Sequence, residues 1–290
     1  ELPRVLELLA QEAATQEGKE KALELLPETD IQSVERLQEE TAAAFSMLTL
    51  HGSPALSVVR PVRASLQRAD RGGSLNTREL LDVAGVLRCA RSVKDYGDAA
   101  QNSPIAHLFR SLGVNKYLEE KITASIPAED EIADAASPEL ADIRRHKRAT
   151  AGKVREVLNK LISSNQSKYL QESIITQRGG RYVVPVKSEH KNDVPGLVHD
   201  VSGSGGTFFI EPMGVVKANN ELRELEAKEE KEIERILAAL SAECASFQED
   251  IAMDYDLLVI LDGIFARAKL AARMNAMKPR HLSAMTFAPA

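Results

Sequence analysis

From Leu2 to about residue 125 apolar residues recur at three- and four-residue spacing, the period of helices that bury one face. Val5, Leu6, Leu8 and Leu9 open the first stripe, and Gly18 reads as a break before Ala22, Leu23 and Leu26. Pro27 and Asp30 fit a capped turn, after which Ile31, Val34, Leu37, Thr41, Phe45 and Leu48 mark one face of a longer helix. Gly72-Gly73-Ser74 predicts a further turn, and Asn76 or Thr77 can cap the helix carrying Leu80, Leu81, Val83, Ala84, Leu87 and Val93. The region reads as a helical scaffold.

Beyond an acidic, small-residue connection at 128–138, the spacing predicts a helix from Pro138 to about Gln171 with a basic middle: Arg144, Arg145, Lys147, Arg148, Lys153, Arg155 and Lys160. From Val215 to about Met277, Leu222, Leu225, Ile233, Ile236, Leu240, Cys244, Phe247, Ile251, Leu258, Leu261 and Phe265 keep the helical step, and neither Pro nor Gly interrupts them before Gly263. Between the two helices the period falls to two. Ile174 to Thr176 and Tyr182 to Val186 flank Gly179-Gly180, a pair suited to the positive φ of a tight hairpin. Leu197 to Val201 and Thr207 to Ile210 flank Ser202 to Gly206, so the expectation is a four-stranded meander. Pro185 cannot donate to a ladder, which predicts an edge or a bulge there.

Composition suits this picture: 43% of the 290 residues are apolar, only 4% are aromatic and Trp is absent, which favours aliphatic helix packing. A net charge of −6 argues against polyanion binding over the whole surface, so any such surface must be local. The acidic start of the last helix, Glu221 to Glu234, can lie antiparallel to the basic helix and neutralise it, or the basic helix can contact nucleic acid. Cys89 and Cys244 lie far apart without metal-ligand spacing and read as buried free thiols. No apolar run is long enough to span a bilayer and no signal pattern opens the chain, so a soluble, cytoplasmic protein without membrane contact is expected. Glu1 in place of Met and an unclosed end at Phe287 to Ala290 read as a piece of a longer protein.

The glycines at 203–206 lack the following helix and Lys-Ser/Thr of a phosphate loop. His190, His199, Asp200 and Glu211 match no metal-ligand spacing, with His199 and Asp200 expected on opposite strand faces. No nucleophile elbow accompanies them, so no catalytic residue, metal or cofactor is assigned to this chain. What remains is a cationic tip, Arg178, Arg181, Lys187, His190 and Lys191 with the flexible loop at Ser204, able to meet phosphates without reading bases. Glu189 and Asp193 keep an ordinary solvated hairpin end as the competing reading.

Tyr169-Leu-Gln171, the run from Thr176 to Lys187, the run from Val198 to Thr207, Ile210-Glu-Pro212 and Asn219-Asn-Glu-Leu222 resemble the lever and clamp region of the bacterial MutS-two subfamily. Asp134 to Arg144 and Val5 to Ala10 are similar to it as well. The resemblance implies a mainly α fold: a helical core bundle at 1–127, a first lever helix at 128–171, a β-rich clamp at 172–214, a second lever at 215–277 and the start of a connection at 278–290. It also implies a parent protein that is a homodimeric ATPase using ATP and Mg, ending in an Smr endonuclease domain. The implied partners are branched or duplex DNA or the rRNA of stalled, collided ribosomes, with roles in suppressing recombination or in ribosome quality control. The alternative is a structural arm that dimerises or docks another protein.

Overall fold

The computed structural model describes residues 1–56, 59–100 and 102–279; the connection expected at 278–290 lies outside the described residues from position 280 onward. The described helices are α1 (Leu2–Glu12), α2 (Gln16–Leu23), α3 (Ile31–His51), α4 (Arg63–Asp70), α5 (Thr77–Gly97), α6 (Ala106–Ser111), α7 (Lys116–Ser125), α8 (Pro138–Ile162), α9 (Met213–Ser246) and α10 (Gln248–Arg273). The strands are β1 (Thr176–Arg178), β2 (Arg181–Lys187), β3 (Gly196–Val201) and β4 (Thr207–Pro212). The protein is thus mainly α with one small antiparallel sheet. It divides into two compact units, residues 1–131 with 237 onward, and residues 132–236.

In the first unit α10 is the core element: Ile251, Tyr255, Leu258, Leu261, Ile264, Phe265 and Ala268 are buried, and α1 to α6 all supply contacts to it. Each such Leu, Ile or Phe removed from water contributes about 1.5–3 kcal/mol. Tyr96, Phe109 and Phe265 meet edge to face or tilted at centroid distances of 5.9–6.5 Å. Both thiols are buried, which pushes Cys89 and Cys244 up to about 12. Asp30 caps α3 through the Ser33 amide, and Asn76 with Glu79 forms a reciprocal capping box on α5.

Three expectations for the helices are corrected. Gly18 does not break the first helix; the break is at residues 13–15, and Gly18 sits in the first turn of α2. The fully buried Asp262 carboxylate accepts from the Ala14 and Thr15 amides and the Thr15 hydroxyl at 2.7–2.9 Å, and a Cβ on Gly18 would stand 2.4 Å from its Oδ2. Glycine is there for room. In α3 the expected stripe holds only in part: Val34, Leu37, Thr41 and Leu48 are half-buried, but Ile31 and Phe45 are exposed, and the buried residues are Ala44 and Met47. Arg267 of α10 donates to Glu40 and Thr41, so α3 meets α10 along the face that carries the small Ala44. The long second helix is two helices, because at Phe247 the amide turns to Cys244 three residues back and the backbone leaves helical geometry at φ −118°, ψ 21°. Its end falls at Arg273 instead of Met277.

The second unit holds α8, the sheet and α9 as far as Ile236. Here α8 ends at Ile162, and a separate 3-10 segment at Asn165–Tyr169 replaces the predicted last turns to Gln171. Gly179 and Gly180, at φ +56° and +74°, close the two-residue β1–β2 hairpin as the sequence predicts. The sheet order is β1-β2-β4-β3, which corrects the meander: β2 pairs with β4, and β3 is displaced to the edge. The physical reason is burial. Val184 and Val186 of β2 and Ile210 of β4 join Val154, Leu158, Leu170, Val194, Val215 and Leu222 in one core, whereas β3 is exposed along most of its length. The Pro185 carbonyl accepts from the Gln171 amide, on an edge of β2 that β1 pairs only as far as Val183. Strand residues direct N and O to the same side, so the missing N–H falls where no ladder needs it.

Candidate nucleic-acid interface

Between residues 141 and 191 twelve Lys and Arg accompany only four Asp and Glu, and the fold sorts these cations into two groups. Along α8, Arg144, Lys147 and Arg148 are answered by α9 and by the connection, while Arg145 and Lys160 pair within the helix with Asp142 and Glu156. Arg144 Nε donates to Glu229 at 2.7 Å and Lys147 Nζ to the same carboxylate at 2.9 Å, while Arg144 and Arg148 hold Asp134 at 2.8 and 3.2 Å. Thr150 meets Glu221 and Ser137 meets Glu232, so partners descend along α9 as they ascend along α8, the order of an antiparallel pair. Burial works to raise the Glu229 carboxyl, but hydrogen bonds from Arg144 and Lys147 outweigh it and hold it below the ordinary range. Hydrogen bonds from Arg235 and then Ser137 lower Glu232 to about 2. Neutralisation by the partner helix therefore accounts for Arg144 and Lys147, and the connection answers Arg148.

The sheet gathers the other group. Lys187, at the end of β2, directs Nζ to the Lys168 carbonyl at 3.1 Å. Lys168 in turn lies over the Tyr169 ring at 4.9 Å. In the 3-10 turn after β2, His190 packs its ring 4.9 Å from Tyr169 and shares a hydrogen bond with Asp193 at 2.8 Å. Lys191 Nζ lies 4.8 Å over Phe208 of β4. Tyr169 and Phe208 are half-buried against the core that contains Leu170, Val186 and Val194, so their rings are fixed from beneath. Among the described residues these three lysines have no carboxylate partner; their ammonium groups rest on rings or a carbonyl.

The remaining predicted residues go elsewhere. Arg178 stacks on Phe209 at 4.0 Å and pairs with Asp200 at 3.1 Å. Since Phe208 and Phe209 are neighbours on one strand, Arg178 and Lys191 lie on opposite faces of β4. Arg181 is 14% exposed, tied to the fully buried Glu211 at 2.8 Å and to Asn220 at 2.6 Å. Glu211 also accepts from Asn219 at 2.7 Å and meets His199 Nε2 at 2.5 Å. A bulge between Val198 and Asp200 turns His199 toward Glu211 and leaves Asp200 for Arg178. Ser204 is exposed at the β3–β4 tip, its hydroxyl 3.4 Å from that of Ser202.

Lys187, His190 and Lys191 are thus brought together, and Arg178, Arg181 and Ser204 are not. Lys168, Tyr169 and Phe208 were not singled out as site residues from sequence. The signal was present in Lys168-Tyr169 following the basic helix and in the adjacent Phe208-Phe209, in a chain with so few aromatics.

The chain is 45% identical to the endonuclease MutS2 of Ruminiclostridium cellulolyticum over 285 residues, 97% of this chain and 36% of that protein. It is 42% identical over 285 residues to the endonuclease MutS2 of Acetivibrio thermocellus, and 42% identical over 284 to that of Agathobacter rectalis, each time across 96% of this chain and 36% of the other. The chain is a MutS2 relative. It spans about a third of the length of the MutS2 proteins it matches. No family model matches it.

The similarity to MutS2 runs through both units, the helices and the sheet alike, since it leaves only a few per cent of the chain unmatched. Among the described residues no helix is long and apolar enough to cross a membrane.

Proposed function

We propose that this chain grips structured nucleic acid on behalf of a longer MutS2-like protein. The observation that supports the reading best is the gathering of Lys168, Lys187 and Lys191 around the end of β2, without a carboxylate ion pair among the described residues. Such ammonium groups meet phosphates without reading sequence. The polymer is branched or duplex DNA, or the rRNA of a stalled or collided ribosome. In the longer protein, ATP and Mg bound outside this segment would set the position of the α8–α9 levers. Two copies would then close their clamps around the polymer, and cleavage would belong to the part that earns the relatives the name endonuclease.

The test is a titration of the 290-residue chain with branched DNA, duplex DNA and ribosomes at several salt concentrations. With three free lysines the expected slope of log K against log salt is about −3, and Lys168→Glu, Lys187→Glu and Lys191→Glu together remove binding. A second reading, an arm that dimerises or docks a protein, draws support from the cations already committed to Glu229 and Glu211. Binding that ignores salt and survives the three substitutions would establish that reading instead.

A further inference from the structure

All four Tyr and Phe residues of the second unit carry a cation: Arg155 over Tyr182, Lys168 over Tyr169, Arg178 over Phe209 and Lys191 over Phe208, at 4.0–5.7 Å. Such pairs occur roughly once per 70–80 residues in proteins at large, so four within residues 132–236 is a local concentration. Two of them, at Tyr169 and Phe208, converge with His190 and Lys187 in the cluster described above.

We propose that Tyr169, His190 and Phe208 form a stacking platform for unpaired nucleotides, with Lys168, Lys187 and Lys191 taking the adjoining phosphates. The inference rests on the nucleic-acid reading above and specifies the form of strand that the site takes. Rings interleaved with ammonium groups are the composition that holds single strands, because a base offers its face to a ring only when it is unpaired or splayed from its neighbours. In a duplex those faces are covered, and the lysines alone would act.

The platform is preformed. Tyr169 and Phe208 are held by Leu170, Val186 and Val194, and the His190 ring packs 4.9 Å from Tyr169. The lysines are the movable part. An ammonium on a half-exposed ring makes a weaker contact than a stacked base, so an arriving base displaces it toward the phosphate beside that base. Stacking accepts the face of any base, so recognition at this platform depends little on sequence.

The experiment uses the whole chain and a short single-stranded deoxyoligonucleotide carrying one 2-aminopurine, with a blunt duplex of the same sequence as competitor. Binding should quench the fluorescent base, and the single strand should be preferred. Tyr169→Leu and Phe208→Leu should each weaken single-strand binding about tenfold with the salt slope unchanged. Tyr169→Phe and Phe208→Tyr should retain it. If the duplex competes equally and the leucine variants bind like the parent while the lysine substitutions still abolish binding, the platform is wrong and the nucleic-acid reading stands. Absence of salt-dependent binding to any nucleic acid overturns both. Should a leucine variant lose its sheet by circular dichroism, quenching by the unaltered chain decides, and its absence in a bound complex rejects the platform.

Discussion

Removing Arg181 tests whether the sheet is held to its helix by a buried charge. Glu211 is completely buried, and its carboxylate is satisfied from three directions: Arg181 on β2, His199 on β3 and Asn219 on α9. Asn219 is itself fully buried and also pairs with both the amide and the carbonyl of Tyr182, so one carboxylate and one amide join three strands to α9. Arg181→Ala withdraws the only permanently charged partner and leaves a carboxylate in a dry site. Breaking a buried pair in this way costs about 3–5 kcal/mol, whereas an exposed ion pair contributes about 0–1. The lower end applies, because His199 and Asn219 remain. The assay is urea unfolding, with the sheet followed by hydrogen exchange of the β2 and β4 amides. A loss near 3 kcal/mol confined to the second unit is expected, and Arg181→Ala with Glu211→Leu should recover much of it. A loss under about 1 kcal/mol would show that Glu211 is solvated or that the ion pair is incidental.

Two further outcomes concern the first unit. Gly18→Ala places a methyl group 2.4 Å from the Asp262 carboxylate, and the rigid packing around it should make this cost about 1–3 kcal/mol; a neutral substitution by thermal or urea unfolding would mean that the α1–α2 junction can shift. Asp254 is buried with the Gly113 amide on its carboxylate at 2.6 Å, and burial raises its pKa from 3.8 to about 6. The folded state then holds the proton more tightly than the unfolded chain, so this carboxyl lowers stability as pH rises through that window, by about 3 kcal/mol in full. Asp254→Asn, which keeps an acceptor for Gly113, should flatten that fall between about pH 4 and pH 6. An unchanged slope would mean that Asp254 ionises as an ordinary surface carboxylate.

Much of the fold can be read from period and punctuation. Asp30, Asn76 and Gly179-Gly180 act where their local chemistry predicts, because a cap or a two-residue turn is decided within four residues. The misreadings share a cause: each depends on a partner far away in sequence. Gly18 is explained by Asp262, the buried face of α3 by α10, and the order of β3 and β4 by the apolar contacts of β2 with Ile210. The site shows the same division. That Lys187, His190 and Lys191 lie together follows from their nearness in the chain, whereas Arg181 turns inward because of a glutamate thirty residues away. Phe208 joins the cluster only through the β2–β4 pairing, which a meander would not have produced.

The same division bears on how a chain of net charge −6 can hold a polyanion. A count of cations would assign the whole basic stretch to binding, but cations within reach of a carboxylate are already neutralised, and a phosphate could recruit them only by displacing that partner. Arg144 and Lys147 are so placed against Glu229, Arg148 against Asp134, and Arg181 against Glu211. The energy of the Arg144 and Lys147 pairs goes into register, fixing which residues of α8 lie beside which residues of α9. Lys168 and Lys191 lie instead on rings that are anchored in the core, and Lys187 rests on a carbonyl. None of these contacts cancels a charge. Their positive potential persists at the surface, screened over about 10 Å at ordinary salt. Binding strength should therefore follow these few positions and not the basicity of the segment.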